Sequence, residues 1–391
     1  MRNPIHVCII TSIHPVDDVR VSHKIGQAFR SEGFRVTWVG PNYAFFDASH
    51  YDRYGIEYRL FSTRKGKLGR LLGYFNAYRK GLSVPNVQVF YAPDPDSAFV
   101  AIRLAQKQKA RVIFDIHEMY HDGMLDRWMK GLTAKVAKSI LRRGLLGVCS
   151  NCDLVMGVSR AVLEPYWTTP TEKMVVRSCA PAWFAEGDAA NVCEVGKKTF
   201  TFMHGKANLL RGTNVVLEAL SIAKQQVHGL KCIMIDAFLG SPTGFSVDDF
   251  RRKVSALNLQ DVVDLRQGVP MQEMPAVLQS CDAGLIAYDR KLGAESLPNR
   301  LFEYMAVGLP VVAPSYSPEI CRILDAEKCG LAVDFENPVL VAEAMVQLCQ
   351  DASTCREMGR RAREAFEKRH NWDVEVRPLL DRIRSWYPNL E

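Results

Sequence analysis

Residues 295–314 read ESLPNRLFEYMAVGLPVVAP, the pattern of a short helix held between two buried strands. Ahead of them the run DAGLIAY (282–288) is apolar and leads into a loop. Pro298 suits the first turn of a helix, where a missing N–H leaves nothing unpaired. Leu301, Phe302, Met305 and Ala306 then recur at helical spacing, and Gly308 with Pro310 stops the helix. Leu309 to Ala313 read as the second strand. Strand, loop, helix N-terminus and strand make half of a βαβ unit, and open α/β sheets bind ligands in the crevice beyond their strand ends. The unpaired amides around Leu297, Asn299, Arg300 and Leu301 suit a phosphate. Glu295 and Glu303 bracket them, eight positions apart. A carboxylate beside a phosphate repels it unless it points elsewhere, so both are expected to accept hydrogen bonds from hydroxyl groups. Phosphate flanked by polyols describes a nucleotide sugar. Taken alone, Glu295 also fits a loop cap and Glu303 an ordinary exposed helix position.

The full string resembles the E-x7-E signature of retaining glycosyltransferases of the GT-B fold, family 4. Bacterial members that build surface polysaccharides (exopolysaccharide, capsule, O-antigen) carry a very similar Pro-Asn-Lys/Arg-Leu-Phe-Glu-Tyr-Met form. The resemblance implies an α/β chain of two doubly wound Rossmann-like domains facing across a cleft. Residues 1–185 would form an acceptor-binding domain, with a C-terminal helix (372–391) crossing back onto it. Residues 195–370 would form the nucleotide-sugar domain.

Size agrees with two domains: 391 residues exceed what one hydrophobic core comfortably serves. A 48% hydrophobic and 24% charged composition excludes a disordered chain. No uncharged apolar stretch reaches the roughly 18 residues of a spanning helix, and MRNPIHVCII reads as a strand rather than a signal peptide. The 11 cysteines are scattered through apolar runs, the usage of a reduced cytosolic protein. Cys149 and Cys152 have C-x-x-C spacing, but no second pair completes a zinc site. The net charge of +7 is uneven, for residues 1–180 hold 26 basic and 15 acidic side chains and the remainder 24 and 28. The basic half suits an acidic donor, an anionic membrane or nucleic acid, and the lack of a nucleic-acid-binding module argues against the last.

Along the chain, His6 to Ile10 reads as a first buried strand, Val21 to Ser31 as a helix and Arg35 to Val39 as a second strand. The opening lacks G-x-G-x-x-G. His14, Pro15, Asp18, Arg20, His23 and Lys24 match instead a pattern common in family 4, where this loop faces acceptor and donor sugar. Arg111 to Asp115 is a strand that delivers His117 and Glu118 to its tip. The Asp-x-His-Glu form is again that of the family and implies a histidine near the transferred sugar. His117 is an acid/base candidate in its own right. Two basic, aromatic-containing stretches, 61–82 and 124–146, fit either docking on anionic lipid or a solvated face.

The second domain is expected to open with a strand, 199–203, a loop, 204–212, and a helix from Asn214. Lys206 and Arg211 flank the loop, after Gly205, and two cations there can neutralise a diphosphate. The family pattern places arginine first and lysine second. Here they are exchanged, so charge is kept while fork geometry moves. The resemblance also places a nucleotide base near Val269.

Together these readings describe a retaining, metal-independent glycosyltransferase. Lys206, Arg211, His117 and Glu295 are its candidate catalytic groups. The donor site comprises Gly205, Lys206, Arg211, Val269, Glu295, Leu297, Asn299, Arg300, Leu301 and Glu303, and His14, Asp18, Arg20 and Glu118 face the acceptor. No cofactor or metal is required. The donor is a UDP-sugar or, less favoured, a GDP-sugar, and the acceptor a lipid-linked saccharide at the inner face of the cytoplasmic membrane, with no nucleic acid involved. Two alternatives stay open: a nucleotide-sugar hydrolase or 2-epimerase, and a non-catalytic sugar-nucleotide-binding scaffold of a polysaccharide assembly complex.

Overall fold

The computed structural model describes residues 4–16, 18–43, 55–62, 67–117, 131–187, 190, 199–236 and 245–390. Glu118, part of 61–82 and residues 124–130 therefore lie outside the described residues. The chain forms two compact units, Met1–Ser178 with Glu375–Glu391, and Cys179–Val374.

The first unit is built on β1 (His6–Ile10), β2 (Arg35–Asn42), β3 (Glu57–Ser62), β4 (Val89–Ala92), β5 (Arg111–Ile116), β6 (Leu154–Gly157) and β7 (Glu172–Val175). They pair in the order β3-β2-β1-β4-β5-β6-β7, each pair parallel. All five residues of β1 are buried, because helices cover both faces and no polar alternation is needed. Its helices are α1 (Gln27–Ser31), α2 (Lys67–Leu82), α3 (Pro95–Gln108), α4 (Gly131–Ser150) and α5 (Arg160–Leu163). The helix expected over 21–31 differs in detail. It begins with a widened, π-type segment, Val19–Gly26, nucleated by Asp18, whose side chain accepts the Val21 N–H at 2.8 Å.

The second unit holds β8 (Phe200–Ala207), β9 (Leu230–Asp236), β10 (Val263–Arg266), β11 (Ala283–Leu285), β12 (Val311–Pro314) and β13 (Gly330–Val333), ordered β10-β9-β8-β11-β12-β13 and again all parallel. Its helices are α6 (Thr213–Ala223), α7 (Val247–Ala256), α8 (Met274–Gln279), α9 (Arg290–Glu295), α10 (Asn299–Val307), α11 (Pro318–Glu327), α12 (Pro338–Gln350) and α13 (Ala352–Arg369). Cys179, Ala180 and Phe184 bury in this unit's core, so the division falls before residue 185. The last helix, α14 (Trp372–Trp386), belongs to the first unit from Glu375 onward. There Glu375 pairs with Arg177, Arg377 with Glu32, and the Tyr387 hydroxyl donates to the Gln88 carbonyl.

Strand β8 runs four residues past the expected end at 203. A bulge between Met203 and Gly205 lets it keep pairing with β9 through Ala207. Cys149 and Cys152 are both buried, and burial pushes the Cys149 thiol up to about 12. Among the described residues no helix is long and apolar enough to cross a membrane. Strand order reverses direction between β1 and β4 in one unit and between β8 and β11 in the other. These switch points are where doubly wound sheets open a crevice for ligands.

Candidate functional site

In the second unit the crevice is bounded by the end of β8, the 3-10 turn Leu209–Arg211, the chain leaving β11, and the start of α10. Gly205 sits on the bulge with φ +80, which strains any other residue, and a Cβ there would lie 2.8 Å from the Arg300 guanidinium. Arg300 is buried on α10 and reaches back to donate to the His204 carbonyl. Its Nε and Nη2 are also buried and make no close hydrogen bond among the described residues, while the Tyr288 and Tyr304 hydroxyls lie near enough to interact with the guanidinium. Arg211 closes the turn, its N–H accepted by the Asn208 side chain at 3.1 Å. Both guanidiniums lie against the ring of Tyr288, at 5.7 Å for Arg211 and 5.4 Å for Arg300.

Two buried or half-buried cations therefore share one aromatic ring, and among the described residues neither is in a carboxylate ion pair. The electrostatics follow from this. Burial, and after it the charges of Arg300 and Arg211, push His204 down to about 3, so its imidazole is neutral and bonds the Thr213 hydroxyl at 3.1 Å. Burial and Arg300 together lower the affinity of Arg211 for its own proton. Glu303 attracts Arg300 through space. Arg300 itself stands in the first turn of α10. Pro298 is the N-cap of that helix and supplies no capping side chain. Of the four amides expected to be open, that of Leu301 already donates to the Pro298 carbonyl at 3.2 Å. The Leu301 side chain is core, Leu297 packs against the core, and Tyr304 ties α10 to β8 by donating to the Met203 carbonyl at 3.0 Å. Gly284 makes room for that ring, since a Cβ would come within 2.3 Å of it.

Around this centre, Lys206 is exposed near the end of β8, Glu295 is exposed at the last residue of α9, and Glu303 is half-buried on α10. Asn299 is half-buried at the start of the same helix, and Val269 packs at the core margin after β10. The helix α9 was not legible in the sequence, which reads as plain loop there. Asp289 caps it by accepting the Leu292 N–H at 2.7 Å.

The first unit's crevice is assembled differently. Asp94 caps α3, accepting the Ser97 N–H at 2.9 Å, and also takes the Thr11 hydroxyl at 3.2 Å. Thr11 in turn accepts the His14 N–H at 2.9 Å, so the loop after β1 is fixed to the start of α3. His14 Nδ1 lies 3.2 Å from Asp18, and its ring meets that of His117 edge-on at 5.1 Å. Burial disfavours charge on His14, but Asp18, Asp94 and Asp115 outweigh it and raise its pKa. Arg20 does not point outward. Its Nε and Nη2 grip Asp115 at 2.7 and 2.9 Å, Nη2 also reaches the Val176 carbonyl, and the Tyr91 hydroxyl donates to the same carboxylate. Burial opposes ionisation of Asp115, yet Arg20 holds its carboxyl below the usual range. The pair fixes the tip of β5, two residues before His117. Arg20 thus gains a structural role that its position in the loop did not reveal.

Of the expected residues, the fold brings Gly205, Arg211, Arg300 and the α10 start together in the second unit, and His14, Asp18, Arg20 and His117 together in the first. Tyr288, His204, Asp94, Asp115 and Tyr91 were missed as components. The apolar run into Tyr288 and the Asp of the Asp-x-His-Glu string carried signals for two of them.

Comparison with known proteins agrees with this architecture. The family described as Glycosyltransferase Family 4 matches residues 19–176, and that described as Glycosyl transferases group 1 matches residues 189–365. WcaL of Escherichia coli K12, named for colanic acid biosynthesis, is 30% identical over 140 residues, 34% of either chain. The D-inositol 3-phosphate glycosyltransferase of Paenarthrobacter aurescens is 27% identical over 182 residues, 46% of this chain and 42% of its own. The matched region thus spans between a third and a half of those relatives' lengths. HepE of Anabaena, solved in complex with UDP, superposes with a TM-score of 0.73 at 13% identity, covering 98% of this chain and all of its own. The two family matches run almost end to end along the chain, whose two parallel-sheet Rossmann-like α/β units have the fold of the GT-B glycosyltransferases.

Proposed function

We propose that the protein is a retaining, metal-independent glycosyltransferase that moves a sugar from a UDP-sugar to a lipid-linked saccharide in cell-surface polysaccharide synthesis, working at the inner face of the cytoplasmic membrane. The observation that carries this reading is the Arg211–Arg300 pair, two cations on one ring without carboxylate ion pairs among the described residues, at a helix N-terminus whose N-cap Pro298 supplies no capping side chain. Such an arrangement is held together at a cost in repulsion that a bound diphosphate relieves. Arg211 and Lys206 neutralise the diphosphate as the glycosidic bond breaks, and the amides of Asn299 and Arg300 add to that field. Glu303 accepts from ribose hydroxyls and Glu295 from sugar hydroxyls, with Leu297 and Val269 lining the donor.

The leaving phosphate oxygen takes the proton of the incoming acceptor hydroxyl, so the new bond forms on the face from which the old one departed. The cations carry the developing charge, and no metal ligand set is needed. His14, Asp18 and His117 orient acceptor and sugar, while Arg20 holds the tip of β5 through Asp115. Support for UDP comes from HepE, and support for a polysaccharide context from WcaL.

The test is a mass-spectrometric screen of UDP- and GDP-sugars incubated with the purified chain, with and without membrane lipid extract as acceptor. One UDP-sugar should be consumed, faster with extract, and Glu303→Ala should abolish this. Consumption that ignores the extract would favour the hydrolase or epimerase alternative. Binding of UDP with no consumption of any sugar would favour the scaffold.

A further inference from the structure

In the second unit, the chain that leaves β11 carries two parts of the proposed donor site. One is the Tyr288 ring shared by Arg211 and Arg300, and the other is Glu295 at the last residue of α9. β12 ends at Pro314, and Ser315, Tyr316 and Ser317 then lead into α11. Two hydroxyls of this short connection reach back to two carbonyls of the chain after β11. Tyr316 donates to the Tyr288 carbonyl at 2.5 Å, and Ser317 donates to the Gly293 carbonyl at 2.6 Å.

Ser317 forgoes its local role to do so. It is the N-cap of α11, where a serine side chain ordinarily accepts an N–H of the first turn, yet it makes no capping hydrogen bond. The side chain is buried and turns instead to a carbonyl 24 residues earlier. A local preference overridden in this way, with no gain to the serine's own helix, is the mark of a functional position. Gly293 permits the approach, since a Cβ there would come 2.7 Å from the Tyr316 ring and 3.1 Å from the Ser317 hydroxyl. Arg290 closes over the outer face: its guanidinium lies 4.7 Å from the Tyr316 ring centre and donates to Glu336 at 2.9 Å and Asp334 at 3.3 Å. Burial, and after it the charge of Glu336, push the Tyr316 hydroxyl up to about 12, so it remains a donor through the neutral range.

We infer that Tyr316 and Ser317 are positioning residues for the donor with divided tasks. Tyr316 holds the backbone of the residue whose ring meets the cation pair, where the diphosphate binds. Ser317 holds the backbone two residues before Glu295, where the sugar binds. Neither hydroxyl is asked to touch the donor, and each acts through the carbonyl it holds. The inference rests on the proposed function and adds to it the residues that set the two halves of the donor site independently.

Tyr316→Phe keeps the ring against Gly293 and Arg290 and removes one hydroxyl, and Ser317→Ala removes the other. Calorimetry with UDP, and steady-state kinetics with the UDP-sugar that wild type consumes, separate the two tasks, and the urea midpoint is followed in parallel. Tyr316→Phe should weaken UDP binding by about fivefold or more and raise the KM for the UDP-sugar to match. Ser317→Ala should leave UDP binding within about twofold of wild type, yet lower kcat/KM for the UDP-sugar by about tenfold or more. Losses that fall equally on UDP and on the UDP-sugar in both variants overturn the inference. So does a lowered urea midpoint with both donor constants intact, because the two hydroxyls would then be a structural clamp and nothing more. A wild type that binds no UDP, or consumes no UDP-sugar, removes the proposed function and this inference with it. A working wild type whose variants show no division removes the inference alone.

Discussion

The two switch points hold similar numbers of charged groups and use them in opposite ways. In the first unit two cations near the strand ends meet carboxylates: Arg20 pairs with Asp115 and His14 with Asp18. In the second, Arg211 and Arg300 share Tyr288, and among the described residues neither is in a carboxylate ion pair. A set of paired charges fixes a loop. Two neighbouring cations without carboxylate partners among the described residues are placed to meet an anion that arrives later. The difference separates scaffolding from binding more sharply than the count of polar residues does.

The largest effect should come from breaking the paired side. Arg20→Ala strands a fully buried carboxylate and is expected to cost about 3–5 kcal/mol, read as a drop in the urea midpoint. Arg211→Ala strands nothing, so its urea midpoint should move by no more than about 1 kcal/mol in equivalent stability. Equal losses in the two variants would erase the contrast. Next in size is Gly205→Ala, which asks a side chain to adopt φ +80 against Arg300. It should lose about 1–2 kcal/mol, and a neutral result would mean the bulge is looser than its geometry.

The smallest effect concerns pH. The pKa of His14 is raised above its ordinary 6.5. Its ion pair with Asp18 therefore contributes stability fully below about 6.5, and that contribution is lost as pH rises through the native value. Asp18→Asn should shift the His14 titration downward in an NMR pH series and flatten the dependence. An unshifted titration would deny the pairing.

Much of this was legible in the chain. The alternation of apolar runs and amphipathic helices announced two doubly wound sheets, because parallel strands buried on both faces leave that mark. The string around Pro298 announced the helix N-terminus. What stayed hidden depends on contacts far apart in sequence. Arg300 reads as one more position of a helix start, and only folding shows its side chain crossing to the His204 carbonyl, 96 residues away. Arg20 reads as a loop cation, and its partner Asp115 lies 95 residues on. The extension of β8 past Met203 was hidden because a bulge breaks the alternation by which a strand is recognised.

The central claim, that the Arg211 and Arg300 cations of the second unit hold a nucleoside diphosphate, is tested most directly by calorimetric titration of UDP into wild type, Arg211→Ala and His14→Ala. The account predicts saturable binding that weakens by about tenfold or more in Arg211→Ala and is unchanged in His14→Ala. No binding to wild type, or a loss confined to His14→Ala, would contradict it.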